Sequence, residues 1–327
     1  MKTKLTYALL LAAAASGVAL GQTTAYTTPV GYSTTTLKNG FNNVGLTLQA
    51  PTKVAGDLNV IGTTSVQDTS AGVNFTTSLG ATGVLHVLEV TSGPALGLVT
   101  EITTWTADTI TTVDNLSAAG VVAGNTYRIR KAPTLEEIFT TNTVSGPLTA
   151  GSATTADIVY VPTGVPGQYT QYFLSTAGAF RKVSPAGVSP NVPVVFLDGL
   201  FIQRKAAGTK DLVVSGEVKT DKTKGPLVTG FNYLGTVYPV GSTIQNSGLE
   251  TSLLAGSATT ADLIYVPSTV TPGQYTQVFR ATAGTWRTVS PAAVAPVIDL
   301  TGAIFIQRKA AATTYTLNPP STWTVTP

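Results

Sequence analysis

Few residues in this sequence have the chemistry of a catalytic group. His86 is the one histidine and there is no cysteine, so an imidazole base has one candidate and a thiolate nucleophile none. His86 lies in an alternating run with Val84, Leu88 and Val90 on its face, and no serine or aspartate motif accompanies it. A zinc site needs three or four ligands, which this composition does not supply. We therefore expect a packed strand histidine, no catalytic residue, no metal and no cofactor.

Two aspartates have the types and spacing to suggest a carboxylate pair. Asp157 and Asp262 each end the sequence GSATTAD, which occurs twice in the chain. A catalytic pair must converge on one site, whereas duplicated residues usually lie in separate units. We predict that each begins a strand and binds local backbone. A calcium site is not supported either, because no D-x-D-x-D-G run is present.

The duplication extends well beyond GSATTAD. The sequence GSATTADIVYVP at 151–162 returns at 256–267 with two apolar exchanges, and FIQRKAA occurs at 201–207 and 305–311. An earlier GFN motif begins at Gly40 and again at Gly230. Each copy thus runs from GFN to FIQRKAA, and the first copy is longer because it contains an extra block.

Short apolar stretches separated by Gly and Pro predict strands and not βαβ units. We predict an all-β protein with two homologous β-sandwich or barrel-like units, a small SH3-like barrel inserted in the first, and few short helices. TLEEIF at 134–139 and SGLE at 247–250 have the pattern of helix starts. The predicted organisation is a signal peptide (1–21), the start of the first unit (22–80), the inserted barrel (81–132), the rest of the first unit (133–222) and the second unit (223–327).

The amino terminus has the pattern of a secretory signal. Lys2 and Lys4 precede a short apolar run, and Ala19-Leu20-Gly21 makes Gln22 the expected first residue after cleavage. The full chain of 327 residues has 19 basic and 16 acidic residues, and removal of both lysines with the signal leaves 17 basic against 16 acidic. Such an even balance argues against a nucleic-acid binder. We expect an exported protein, extracellular, on the cell surface or in the periplasm, that does not span a membrane after signal removal.

Two sets of residues are candidates for binding. Arg-Lys pairs follow three strands, at 130–131, 204–205 and 308–309, and they suit either an anionic polymer or a strand end where the charges reach water. Repeat-equivalent aromatic residues suit either stacking on sugars or core packing. The candidate binding residues are Tyr169, Phe180, Arg204, Lys205, Tyr275, Trp286, Arg308 and Lys309.

Several longer motifs resemble a family of secreted bacterial proteins found in the verrucomicrobial group. They are LEVTSGPALGLVTEI (88–102), NTYRIRK (125–131), TLEEIF (134–139), both copies of ATTAD and of FIQRK, and DLVVSGEVKT (211–220). The resemblance covers most of the chain after the signal. It implies export, and no activity is assigned to the family.

From these patterns we expect a structural or adhesive protein of the cell surface or matrix, with no catalytic activity. Its partner would be another copy, assembled through β edges, or an envelope polysaccharide. A glycan-binding protein is the alternative, and it requires the repeat-equivalent aromatic residues to face solvent in one groove. An envelope hydrolase is the third, and it requires one pocket to gather two carboxylates from different units.

Overall fold

The computed structural model describes residues 29–80, 82–139, 146–268, 271–300 and 302–321. The predicted signal peptide lies outside these residues. The first part of the chain contains β1 (Val30–Leu37), β2 (Gly40–Gly45), β3 (Thr52–Asp57), β4 (Val60–Ile61), β5 (Ser65–Gln67), α1 (Phe75–Leu79), β6 (His86–Val90), β7 (Val99–Trp105), β8 (Thr109–Thr112), β9 (Thr126–Lys131) and α2 (Leu135–Phe139). The middle part contains β10 (Ile158–Pro162), β11 (Tyr169–Leu174), β12 (Phe180–Lys182), β13 (Gly187–Val188), β14 (Gly199–Arg204) and β15 (Lys210–Glu217). The last part contains β16 (Thr223–Leu227), β17 (Gly230–Gly235), a 3₁₀ turn (Leu249–Thr251), β18 (Leu263–Pro267), β19 (Tyr275–Arg280), β20 (Trp286–Thr288), β21 (Ala293–Val294), β22 (Ala303–Arg308) and β23 (Thr313–Leu317).

Two six-stranded antiparallel sheets have the same strand order. The first runs β13-β12-β11-β10-β14-β2 and the second β21-β20-β19-β18-β22-β17. Strands with matching sequence occupy matching places, because the GFN strand lies at one edge and pairs with the FIQR strand in both sheets. The all-β prediction is therefore confirmed.

Each sheet is accompanied by a two-stranded ribbon. β1 pairs with β15, and β16 pairs with β23, both antiparallel. β1 and β16 each lead directly into a GFN strand, so the ribbons also correspond between the two halves.

The remaining sheet has seven strands in the order β3-β9-β6-β7-β8-β5-β4. Its two edge strands, β3 and β4, are joined by Leu58 and Asn59 alone. Since the three Cα–Cα steps from Asp57 to Val60 span at most about 11 Å, the sheet must curve until its edges approach. The buried side chains inside, among them Leu88, Ile110 and Tyr127, form a core of their own.

This sheet draws on more of the chain than the predicted block 81–132. β3, β4 and β5 lie upstream of that block and pair within the same sheet. They gave a weak sequence signal, because β4 and β5 have two and three residues and β3 reads TKVAGD.

The helices are short among the described residues. α2 has the predicted capping box, in which Glu137 N donates to Thr134 Oγ1 at 3.3 Å and Thr134 N donates to Glu137 Oε2 at 3.0 Å. The second predicted helix is only the 3₁₀ turn, where the Ser247 hydroxyl accepts from Leu249 N. α1 was not predicted, and Asn74 caps it by accepting from Thr77 N.

The two six-stranded sheets pack against each other with reciprocal contacts. A Cβ at Gly40 would lie 3.3 Å from Pro272 Cβ, and a Cβ at Gly230 would lie 3.3 Å from Pro166 Cβ. Each GFN strand therefore meets the PGQ loop of the other half. A single buried cluster contains Ile202 and Ile306 together, so the halves share one core.

Aromatic rings fill the centre of this contact. Phe201 and Phe305, which are repeat equivalents, have ring centroids 4.6 Å apart, and the Tyr233 ring stacks on both at 4.1 and 4.3 Å. The single proton of the Tyr233 hydroxyl faces two acceptors, Asn43 Oδ1 at 2.5 Å and Leu200 O at 3.0 Å. Tyr233 is the repeat equivalent of Asn43, so the reciprocal symmetry is broken at this pair.

We expect Tyr233→Phe to lower the free energy of unfolding by about 1–2 kcal/mol, because buried acceptors lose their donor. Tyr265→Phe is the matched control, since its half-buried hydroxyl donates only to Gln307 Oε1. Urea unfolding followed by fluorescence measures both. Equal losses in the two variants would contradict a special role for the Tyr233 hydroxyl.

Candidate functional site

Asp157 joins two segments of the first half. The strand register places Ile158 opposite Gln203, so Asp157 lies beside the end of β14. Its carboxylate accepts from Thr149 N at 2.8 Å and from Lys205 N at 2.8 Å, and Arg204 Nε lies 3.5 Å away. The Asp157 side chain is fully buried. The carboxylate therefore fixes the GSATTAD loop to the end of β14, the strand that pairs with β10.

Asp262 does the same in the second half. It accepts from Leu254 N at 2.9 Å and from Lys309 N at 2.7 Å, and Arg308 Nη1 donates to it at 2.7 Å. Both aspartates bind backbone N–H groups, as predicted, but only one donor in each half is near in sequence, since Lys205 and Lys309 lie 48 and 47 residues away. The two aspartates lie in separate sheets. Their buried arginine partners were missed, because only the pairing of strands 46 or 47 residues apart brings them together.

The lysines of the Arg-Lys pairs also bind within their own half. Lys205 Nζ donates to the carbonyls of Ala153 and Thr154 at 2.9 and 3.0 Å. Lys309 Nζ makes the equivalent contacts, at 3.2 and 2.9 Å, to the second GSATTAD loop. The expectation that both charges of each pair reach water is wrong for Arg204 and Arg308, which are 2% and 9% exposed. An arginine this deep can instead neutralise a buried carboxylate.

The GFN motif has a structural role as well. Asn42 Nδ2 donates to Lys38 O at 2.8 Å and to Ile202 O at 3.2 Å, and Asn42 Oδ1 accepts from Lys38 N. Asn232 repeats this pattern on Val228 and Ile306. Each asparagine ties the turn before its strand to the neighbouring strand.

The aromatic candidates do not form an exposed groove. Phe180 and Trp286 are buried, at 0% and 8% exposure. Tyr169 and Tyr275 are half-buried at the rim of the central ring cluster, with centroids 5.4 and 5.5 Å from Phe201 and Phe305. The condition set for sugar stacking is therefore not met by these four residues.

A buried ionic network, not foreseen from the sequence, joins the small barrel to the chain between β15 and β16. Glu89 receives Lys219 Nζ and, at 2.6 Å, Arg128 Nε. Asp221 receives Lys219 Nζ at 2.6 Å and Arg128 Nη2 at 2.5 Å. Burial lowers the pKa of Lys219; burial also opposes ionisation of Asp221, but Lys219 and Arg128 bring its pKa below the usual value.

Two further sequence expectations change with this network. Lys219 is 2% exposed, although it lies in a polar stretch of sequence, and Arg130, the first member of its Arg-Lys pair, is also 2% exposed. Arg130 Nη1 donates to Glu217 and, at 2.5 Å, to Ala50 O. These contacts among six charged groups could not be read from spacing, since Glu89 and Lys219, for example, are 130 residues apart.

His86 is packed, as expected. Its ring lies edge-on to Trp105 with centroids 5.5 Å apart, and Nδ1 lies 3.1 Å from Val84 O. The side chain is 1% exposed, and burial lowers its pKa. At this exposure the His86 ring is out of reach of a molecule bound at the surface.

Two grooves lie where the halves meet, and they are repeat equivalents. Groove 1, about 660 Å³, lies between the loop around Pro272 and the start of β2, and its wall includes 34–36 of β1. Groove 2, about 500 Å³, lies between the loop around Pro166 and the start of β17. Leu85 and Glu101 of the small barrel close one side of groove 2, and among the described residues groove 1 has no such wall from the barrel.

Groove 2 contains two carboxylates from different parts of the fold. Glu101 comes from β7 of the small barrel, and Asp198 precedes β14. Burial raises the pKa of Asp198 to about 7, with a further contribution from the charge of Glu101. Burial and the charge of Asp114 raise the pKa of Glu101. Groove 2 therefore gathers two carboxylates, but they come from the inserted barrel and the first unit, and not from the two homologous units that the hydrolase condition named.

Other kinds of site find less support in the described residues. They contain no cluster of three or more metal-ligating side chains. They also include no helix with the length and apolar character needed to cross a bilayer. No family model matches the chain, and no curated protein or solved structure does.

We expect Asp262→Asn to lower the free energy of unfolding by about 3 kcal/mol, because Arg308 keeps its buried charge and loses the compensating one. Asp157→Asn should cost a similar amount. Asp211→Asn is the control: this exposed carboxylate accepts from the Thr36 hydroxyl, and its loss should cost less than about 0.5 kcal/mol. Denaturant unfolding measures the free energy of unfolding of each variant. A loss for Asp262→Asn no larger than that for Asp211→Asn would refute the buried ion pair.

The raised pKa of Asp198 predicts that the free energy of unfolding depends on pH. Its pKa in the folded state, about 7, exceeds the value of about 4 expected when unfolded, so the folded state holds the extra proton between these values. Stability should therefore fall as pH rises from about 4 to about 7. Asp198→Asn should remove this fall and raise stability at about pH 8 by roughly 2 kcal/mol. Glu101→Gln should move the fall to lower pH; unchanged thermal-melting profiles in both variants would contradict the assignment.

Proposed function

We propose that the protein is an exported structural or adhesive component of the cell surface or extracellular matrix, without catalytic activity. The residues that both copies retain support this role. Asp157, Arg204 and Lys205, like their equivalents in the second copy, bind the backbone of their own half and each other. What the duplication preserved is therefore a set of contacts that hold loops to strands.

Composition fits the same role. The chain has 11% charged residues and many Thr, Val and Gly, which suit short strands and tight turns. The signal-like amino terminus supports export. We extend the proposal to membership of the secreted bacterial family that the motifs resemble.

A glycan-binding role has less support, because Phe180 and Trp286 are buried and the two tyrosines lie against the central rings. Groove 2 favours a second candidate, an envelope hydrolase, since it holds Glu101 and Asp198. A carboxyl with a pKa near 7 is suited to donate a proton to a leaving group. Release of soluble sugar from envelope polysaccharide, abolished by Asp198→Asn and kept by Asp211→Asn, would establish that candidate.

We expect fractionation of the producing cells to place the protein in the surface or matrix fraction, with an antibody label on the cell exterior in electron microscopy. A cytoplasmic enzyme is the fractionation control. Recovery only as a soluble periplasmic monomer would overturn the structural proposal.

A further inference from the structure

β1 has a free edge eight residues long. Val218 N donates to Pro29 O, and in an antiparallel ladder this fixes which residues bond to β15. The N–H and C=O groups of the alternate residues, Val30, Tyr32, Thr34 and Thr36, must then point away from β15. No backbone group elsewhere in the described chain bonds to this edge.

The corresponding edge of β16 is protected. Lys224, the equivalent of Thr34, donates its N–H to Gly97 O of the small barrel at 2.7 Å. Pro226, the equivalent of Thr36, has no N–H to offer. Lys222, the equivalent of Tyr32, adds a charge there. Pairing, proline and lysine are three devices that keep a sheet edge from joining another chain.

β1 has none of these devices. Its sequence VGYSTTTL contains no charge and no proline, and no described backbone group of the small barrel bonds to its edge. Val30 and Tyr32 are 76% and 79% exposed on the outer face. Strands of high β propensity without charge or proline readily add a further strand.

We propose that β1 pairs antiparallel with β1 of a second copy, which makes the protein a dimer with two-fold symmetry. A second copy fits because the exposed edge is neutral and self-complementary. When the β1 strands of two copies lie antiparallel, each outward N–H of one strand faces an outward C=O of the other. The pairing that uses all four outward residues sets Tyr32 opposite Thr34 and Val30 opposite Thr36 of the other copy. The two ribbons then form one continuous sheet.

The choice of a second copy as the partner rests on the proposed structural role, in which self-association is expected. The pairing itself is tested on the purified protein alone. Sedimentation velocity over about 1–100 μM should show a concentration-dependent rise toward twice the monomer mass. Thr34→Pro should weaken the dimer at least about tenfold, since it removes an outward N–H and adds a ring at the edge. Thr34→Ala, which keeps the N–H, is the matched control and should dimerise like the parent.

A second measurement removes any dependence on how Thr34→Pro folds. The chain has no cysteine, so Tyr32→Cys and Thr34→Cys each introduce a single thiol. Mixed under mild oxidation, the two variants should form disulfide-linked heterodimers more than either forms homodimers, because the register sets these positions opposite each other. A monomer at every concentration, a folded Thr34→Pro that dimerises normally, or no preference for the mixed disulfide would each overturn the proposal. A dimer in solution from a protein that fractionates as periplasmic would refute the surface role and leave the pairing intact.

Discussion

The buried carboxylate at the start of β10, and its copy before β18, determines how each half is held together. A charge removed from water is costly unless several donors meet it, and here two backbone N–H groups and an arginine do so. In the first half, the loop, β10 and the neighbouring β14 cannot move apart without exposing or orphaning that charge.

Much of the fold could be predicted because the chain repeats itself. Matching sequences marked matching strands, and Gly and Pro marked the turns, so the all-β class and most strands of both halves followed from local pattern. Long-range pairing could not be read in this way. Arg204 looked like a strand end reaching water, and only the register of β10 with β14 shows that it faces a carboxylate. The one indication in the sequence was that both copies keep an aspartate in GSATTAD together with an Arg-Lys pair in FIQRK.

Insertion of the small barrel makes the two halves chemically different. Its wall contributes Glu101 to groove 2, while groove 1 keeps an open strand edge at the same place. Glu89 and Lys219 anchor the barrel through a buried contact that water does not reach. A solvated ion pair would tolerate sliding, whereas a desolvated one holds a fixed geometry. The asymmetry between the grooves is therefore built into the packing.

The pair formed by Tyr233 and Asn43 has a consequence for the history of the chain. A self-paired ancestor would have carried the same residue on both sides of its symmetry axis. The present arrangement needs one ring and one amide, since the phenol donates across the axis to the amide oxygen. Neither repeat, cut free, could rebuild that contact with its own twin. The contact therefore requires both repeats, and two copies of either repeat alone would lack it.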